Sequence, residues 1–139
     1  MKYLILLYTM LGTLTHSNAQ TKTENHKVIF QMSTADAEEQ LGLISNLESL
    51  KKGWGDKIQI EVVAHGPGIT FLMKEKSAAT EGIQKMIQEG VVFVACENTM
   101  KKKNIQKEQL LDGVDTVPMG IGEIIMKQEQ GWSYIKGNF

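Results

Sequence analysis

The chain has 139 residues, a formal net charge of −1 and no arginine, and 42% of its residues are hydrophobic. This size and composition are typical of a single compact domain, and the near-zero charge gives no electrostatic attraction to nucleic acid. The absence of arginine also excludes bidentate recognition of phosphate or guanine. The one run of like charge, Lys101 to Lys103, is typical of a solvated helix face.

The first 19 residues are predicted to be a signal peptide. Lys2 is a short positive segment, residues 3–14 are mostly apolar, and residues 17–19 are small where signal peptidase cleaves. The apolar run is too short and too interrupted to span a membrane. The alternative is a buried N-terminal helix, but the polar segment 20–26, which we expect to be flexible, favours the signal peptide. We therefore expect a periplasmic or secreted protein whose mature chain begins at Gln20.

Residues 27–139 are predicted to form one domain in which strands and helices alternate. Apolar runs rich in β-branched residues predict five strands, at 27–32, 57–64, 91–95, 114–117 and 132–135. Helical spacing and capping residues predict a first helix from the Asp36 cap to Gly53 and a second helix that Ser77 caps and Gly90 ends. A short polar helix follows Cys96, and the last helix extends from Met119 to Gly131. Two further helical segments are predicted at 69–73 and 105–111.

Two of these helices have an apolar side, and that of the first helix is expected to face the core. The first carries a stripe of Leu41, Leu43, Ile44, Leu47, Leu50 and Trp54, and the last carries Ile121, Ile124, Ile125 and Gln128 on one side. Alternation of strands with helices indicates a mainly parallel sheet with helices on both faces. The predicted fold class is therefore α/β, a three-layer α/β/α sandwich of flavodoxin-like general architecture with about five strands.

Cys96 is the first candidate functional residue, and it is the chain's single cysteine. The continuous apolar run 91–95 predicts a strand buried on both faces, and Asn98 and Thr99 suit the start of a helix. Ligands bind open α/β sheets at this carboxyl edge, and a helix N-terminus favours a thiolate. Three alternatives remain open: Cys96 is reactive, it pairs between chains, or it is a small buried core residue.

The loops after the other strands are expected to line the same rim. His65 could act as a base or as an ion partner for Cys96, although a histidine at a strand end is more often an ordinary loop residue. The remaining residues that we expect to bind a ligand there are Ser33, Thr34, Gly66, Asn98, Thr99, Met119 and Gly120. Cys96, Met100, Met119 and His65 could bind a soft ion such as Cu(I), but their spacing matches no metal motif. Neither a metal site nor a cofactor is predicted.

The segment Gly90-Val91-x-Phe93-x-Ala95-Cys96-x-x-Thr99-Met100 resembles the cysteine-bearing strand-to-helix segment of the DsrE/DsrF-like sulfur-relay family. Two later segments are similar to the C-terminal half of that family, Val117-Pro118-x-Gly120-x-x-Glu123-Ile124 and Gln128-x-x-Gly131-x-x-Tyr134-Ile135. The likeness extends from about residue 27 to residue 135.

This resemblance implies a DsrE-like three-layer domain that assembles into a homo-oligomer, commonly a trimer or a hexamer. It also implies that Cys96 carries a persulfide, as the matching cysteine does in sulfur-relay members. The predicted function is therefore an exported sulfur carrier or sulfurtransferase with a thiol or sulfane-sulfur compound as donor and acceptor. Whether the protein turns over as an enzyme stays open. The alternative is a non-catalytic oligomeric module that binds a small ligand or a soft metal. No nucleic-acid partner is expected, and no membrane association after signal cleavage.

Overall fold

The computed structural model describes residues 25–139, so the predictions for the signal peptide and for residues 20–24 lie outside the described residues. Within that range no helix is long and apolar enough to cross a membrane. The strands are β1 (His26–Met32), β2 (Ile58–Ala64), β3 (Val92–Cys96), β4 (Asp115–Val117) and β5 (Ser133–Lys136). The helices are α1 (Ala37–Trp54), α2 (Thr80–Gln88), α3 (Glu97–Lys103) and α4 (Gly120–Glu129).

The five strands form one sheet in the order β4-β3-β2-β1-β5, and every neighbouring pair is parallel. The prediction of a mainly parallel α/β sheet is confirmed. In the register of the central strands Met32 pairs with Ala64 and Ala64 pairs with Ala95. The carboxyl ends of these strands are therefore aligned, and the loops that follow them meet at one rim.

Both faces of the central strands β1, β2 and β3 carry buried residues, as the three-layer prediction requires. On β1, Val28, Phe30 and Met32 point into the larger core, which also contains buried residues of α1 and α2. Ile29 points to the opposite face, where Val63, Val94 and the α4 residue Ile124 complete a smaller cluster. Successive strand residues alternate between the faces, so continuous apolar runs such as 62–64 supply both cores.

Helix α1 begins at the predicted cap, because Asp36 Oδ1 accepts a hydrogen bond from the Glu39 amide over 2.9 Å. The apolar stripe predicted along α1 lies only partly in the core. Leu43, Ile44 and Leu47 are buried, but Leu41 is 50% exposed and Trp54 is 44% exposed, so those two assignments are wrong. Leu41 lies two residues, or about 200°, away from Leu43 around the helix. Trp54 lies at the end of the helix, where it stacks on His26 instead.

The predicted segment 69–73 is helical as far as Leu72, but as part of a 3₁₀ helix, Gly66–Leu72, and not of an α-helix. Within the predicted segment 105–111 only Lys107–Gln109 is helical, as a single 3₁₀ turn. The two segments pair with each other, because the Leu111 amide donates to the Leu72 carbonyl and the Lys74 amide donates to the Gln109 carbonyl, each over 2.9 Å. These contacts satisfy backbone groups that a helix would have bonded internally.

Helix α4 starts at Gly120, one residue later than predicted, and it lies over the smaller core. Only Gly120 and Ile124 are buried along its length. Ile121 and Ile125, which were expected on the same side of the helix as Ile124, are 49% and 51% exposed. The helix therefore contacts the sheet through a narrow stripe, and a broad apolar surface faces outward.

Candidate functional site

Cys96 ends β3 on the same side of the sheet as α4, since Val92, Val94 and Cys96 alternate with residues of the larger core. It is also the N-cap residue of α3. Its side chain is buried, with 5% of the residue exposed, and its Sγ accepts a hydrogen bond from the Gly120 amide over 3.2 Å. The sulfur thus lies where the N-termini of α3 and α4 meet.

The pKa of the Cys96 thiol reflects two opposed effects. Burial raises the pKa, because a thiolate loses hydration inside the protein. The amide of Gly120, the amide and hydroxyl of Thr99 and the amide of Asn98 act in the other direction, and together they hold the pKa of Cys96 below its ordinary value. Amide groups at two helix N-termini thus favour the thiolate.

Gly120 allows this close approach of α4 to the strand ends. A β-carbon built on Gly120 would lie 3.1 Å from Cys96 Cβ, 3.2 Å from Val63 Cγ1 and 3.3 Å from His65 Cβ. Each separation is shorter than ordinary van der Waals contact. The same values place His65 and Cys96 side by side across Gly120, so the predicted neighbours do share one corner of the rim.

The His65 ring is hydrogen-bonded to Gln31, and no hydrogen bond joins it to Cys96 among the described residues. Gln31 Nε2 donates to His65 Nε2 over 2.7 Å, and Tyr134 on β5 donates its hydroxyl to Gln31 Oε1. The imidazole therefore uses Nε2 as an acceptor and carries its proton on Nδ1. Burial also lowers the pKa of His65, which favours the neutral ring.

The loop after β2 is fastened to α3 through two further predicted residues. The Gly66 amide donates to Thr99 Oγ1 over 3.0 Å, and Thr99 is buried. Gly66 has a φ of +54°, a conformation that glycine adopts without steric cost. Because the Thr99 hydroxyl also favours the Cys96 thiolate, Gly66 supports the site through Thr99.

Other predicted site residues lie farther from the sulfur or expose their side chains. Ser33 and Thr34 line a separate cleft of about 370 Å³ with Pro67 and Lys136. Thr34 Oγ1 accepts from the Asp36 amide, so its hydroxyl helps to start α1. The side chains of Asn98 and Met119 are exposed, and Asn98 contributes its backbone amide alone.

The charged residues of α3 are directed away from Cys96. Lys101 to Lys103 are exposed in the last turn of the helix, at the end opposite the sulfur. Glu97 Oε1 accepts a hydrogen bond from Thr116 Oγ1 over 2.8 Å, which holds this carboxylate toward β4. Met100 packs into the larger core, on the face opposite to Cys96. Within residues 25–139, no three His, Cys, Asp or Glu side chains are placed to hold a metal ion.

Sequence reasoning missed four polar residues around the site. Gln31 and Tyr134 hold His65, and Glu61 and Lys127 form a buried ion pair beneath α4. A polar residue inside an otherwise apolar strand was the available signal, since Gln31 lies in HKVIFQM and Glu61 in IQIEVVA. Glu123, one helical turn before Lys127 on α4, also lies 3.6 Å from the Lys127 ammonium group.

The profile of the DsrE/DsrF-like family matches residues 16–136. The chain belongs to the DsrE/DsrF-like family. This assignment confirms the resemblance seen in the sequence and places the protein in a family related to sulfur relay. No curated protein sequence matches the chain.

Solved structures agree with this fold. The protein of unknown function MTH1491 from Methanobacterium thermoautotrophicum is 33% identical, with a TM-score of 0.75 over 80% of this chain and 98% of that chain. BT1422 from Bacteroides thetaiotaomicron, also of unknown function, is 17% identical with a TM-score of 0.64, covering 83% and 97% of the two chains. The ychN protein from E. coli is 11% identical with a TM-score of 0.61, covering 81% and 98%. The DsrE-like fold that the sequence predicted is thereby confirmed.

Proposed function

We propose that this DsrE-like protein is an exported sulfur carrier or sulfurtransferase in which Cys96 is the sulfur-accepting thiol. The observation that carries the proposal is the position of Cys96 Sγ between the N-termini of α3 and α4. A thiol that serves only as a core residue needs no hydrogen-bond donors, yet donors from Gly120, Thr99 and Asn98 outweigh the effect of burial here. Such surroundings are typical of a nucleophilic cysteine.

The proposed reaction has two steps. The Cys96 thiolate attacks the sulfane sulfur of a donor such as thiosulfate, a new S–S bond forms, and sulfite leaves with the electron pair of the broken S–S bond. The cysteine then carries a persulfide. A thiolate of the acceptor next attacks the outer sulfur, takes it as its own persulfide, and returns Cys96 to the thiolate.

Each step uses the donors that surround the sulfur. Because thiolate is both the nucleophile of the first step and the leaving group of the second, amides that favour the thiolate assist both steps. His65 fits a neutral role beside the sulfur, since its Nε2 accepts from Gln31 and burial lowers its pKa. The chain contains a single cysteine, so the acceptor thiol must come from another molecule.

Two further proposals concern the setting of this chemistry. The charged, apolar and small segments of residues 1–19 support export. Family membership supports assembly into a homo-oligomer, and so does the outer surface of α4, where Ile121, Ile125 and Met126 are each about half exposed. Contiguous exposed apolar surface of this kind commonly marks a protein–protein contact.

The experiment measures the intact mass of native protein after exposure to thiosulfate or polysulfide. We expect a gain of one or more sulfur atoms, its loss on addition of a small thiol, and no gain in the Cys96→Ser variant. If iodoacetamide alkylates native Cys96 but sulfur never adds, the relay function is wrong and a binding module is favoured. If alkylation requires denaturation, Cys96 is a core residue, and the proposal that it is a reactive thiol is wrong.

A further inference from the structure

Helix α4 carries the amide that faces Cys96, yet apolar packing alone holds it weakly. It is the helix that covers the smaller core among the described residues, and Ile124 is its one buried apolar side chain. Burial of a single isoleucine side chain contributes little toward fixing the position of a ten-residue helix. The placement of Gly120 over Cys96 therefore needs another anchor.

A buried ion pair supplies an anchor at the other end of α4. Lys127 Nζ lies 2.6 Å from Glu61 Oε2, with side-chain exposures of 20% for Lys127 and 6% for Glu61. Lys127 also lies 3.6 Å from Glu123 on the same helix and 4.4 Å above the ring of Trp132, which precedes β5. One ammonium group thus connects β2, α4 and the start of β5.

The two contact points of α4 lie on the same strand. Side chains two residues apart in a strand face the same side of the sheet. This spacing relates Glu61 and Val63, which lie in β2, to His65, which comes directly after it. Gly120 packs against Val63 and His65, while Lys127 binds Glu61. The helix therefore runs back along β2, held at its N-terminus by close contact and about 10 Å farther on by the ion pair.

This ion pair is costly for the fold. Glu61 Oε1 is buried and has no hydrogen-bond partner among residues 25–139. Burial raises the pKa of Glu61, Lys127 opposes that rise, and the nearby Glu123 adds to it. Buried ion pairs are often no more stabilising than apolar residues of the same volume, but they restrict the geometry of the elements that they join. A role in positioning accounts for an arrangement that stability alone does not favour.

We propose that Glu61 is a positioning residue for Cys96: by binding Lys127 it fixes α4 over β2, so that the Gly120 amide stays within hydrogen-bonding distance of the sulfur. The inference rests on the proposed function in one respect, since it assigns Glu61 to the same site. Glu61 itself does not touch the sulfur. Loss of its charge is expected to let α4 shift and to weaken the Gly120 hydrogen bond.

The discriminating variant is Glu61→Gln, because positioning and direct electrostatics predict opposite signs. Removing a negative charge from the same face of the sheet would by itself lower the pKa of Cys96. Loss of the anchor instead weakens a hydrogen bond to the thiolate and raises that pKa. We expect a rise of about half a unit to one unit, and a fall of about three- to tenfold in the alkylation rate at neutral pH.

Two measurements give the pKa of Cys96. The first is the ultraviolet absorbance of the thiolate against pH, from which the absorbance of the matching Cys96→Ser protein is subtracted. The second is the rate of iodoacetamide alkylation against pH, followed by mass spectrometry. The matched control is Glu48→Gln, which removes the exposed Glu48–Lys85 pair between α1 and α2, with its nitrogen–oxygen distance of 2.8 Å. Denaturant unfolding of each variant separates positioning from general loosening, since loosening speeds alkylation at every pH without moving the inflection.

A raised inflection in Glu61→Gln together with an unchanged one in Glu48→Gln supports the proposal. An unchanged or lowered inflection in Glu61→Gln overturns it, as does an equal shift in the control. The result is independent of sulfur transfer. If wild-type protein accepts no sulfur while Glu61→Gln still raises the inflection, the relay function fails and the positioning role stands.

Discussion

Replacing Gly120 by alanine tests the contact on which the site depends. The added methyl group would lie 3.1–3.3 Å from Cys96 Cβ, Val63 Cγ1 and His65 Cβ. All three are atoms held close to strand backbone, so none can move aside as the end of a long side chain would. The N-terminus of α4 must therefore retreat by a few tenths of an ångström, and its amide retreats from Cys96 with it.

The free energy can be bounded from these contacts. Overpacking of a filled interior costs about 1–3 kcal/mol. Alanine in place of glycine returns at most about 1 kcal/mol through helix propensity, since φ of Gly120 is not positive. We therefore expect Gly120→Ala to lower the free energy of unfolding by about 1 kcal/mol, or the melting temperature by about 3–6 °C.

The effect on the thiol follows from the same displacement. A hydrogen bond to a charged group contributes about 1.5–3 kcal/mol, and one pKa unit corresponds to about 1.4 kcal/mol. If the 3.2 Å bond from Gly120 to Cys96 is weakened by a third to a half, the pKa of Cys96 rises by about half a unit to one unit. Thiolate absorbance against pH measures this shift.

Gly122→Ala is the matched control on the same helix. Its added methyl group would meet Met119 Cε at 2.7 Å, the mobile end of an exposed side chain, so accommodation is cheap. We expect this variant to be as stable as wild type or slightly more stable, with an unchanged Cys96 inflection. The reasoning is refuted if Gly120→Ala leaves both stability and inflection unchanged, or if Gly122→Ala shifts them equally.

Four other predictions concern His65, the stability of the fold, assembly and export. In Tyr134→Phe the Gln31 amide is free to rotate and accept from a protonated His65, so NMR titration should show the pKa of His65 rising; no change would mean that Tyr134 does not orient Gln31. His65 is held neutral in the folded state, so unfolding curves should show stability falling as pH drops from 6.5 through the lowered pKa of His65, and His65→Gln should remove that component. Light scattering of the mature protein should give at least twice the mass of one chain, and a monomer at micromolar concentration would contradict this. In protein from the native host, N-terminal mass analysis should find a chain that begins near Gln20. A chain that still begins at residue 1 would contradict export.

The sequence predicted the fold well because the apolar pattern of each strand and the alternation of strands with helices can be read from local segments. Continuous apolar runs marked strands buried on both faces, and the end of the run 91–95 marked Cys96 correctly as the last residue before a helix. Helical periodicity was less reliable at 105–111, where only Lys107–Gln109 is helical and Leu110 forms a bridge with Met73 instead. At 69–73 the pattern indicated a helix but not its 3₁₀ type, because short apolar runs do not identify the kind of element that they form.

The sequence predicted which loops lie at the rim around Cys96, but it did not predict the hydrogen bonds between them. Parallel topology places the ends of β2 and β3 at one rim, so His65 and Cys96 could meet if their strands were neighbours, and β2 and β3 are paired. Which donors face the sulfur depends on how α4 sits on the sheet, and Gly120 was recognised only as a rim residue. The contact of Gln31 with His65 depends on strand order and on the directions of the two side chains, neither of which the sequence pattern gives.

The pairing of β5 with β1 has a consequence for the order of folding. Val28 and Ser133 are register partners although about 100 residues separate them, and the Gly137 amide donates to the Gln31 carbonyl. Such a non-local pairing closes late, because a long loop must be ordered before the contact is gained. Tyr134 reaches Gln31 only when β5 docks, so a nascent chain can bury most of its core and still lack an oriented His65. Maturation of the site would then be the last event of folding, and a chain whose β5 has frayed would be folded but chemically incomplete.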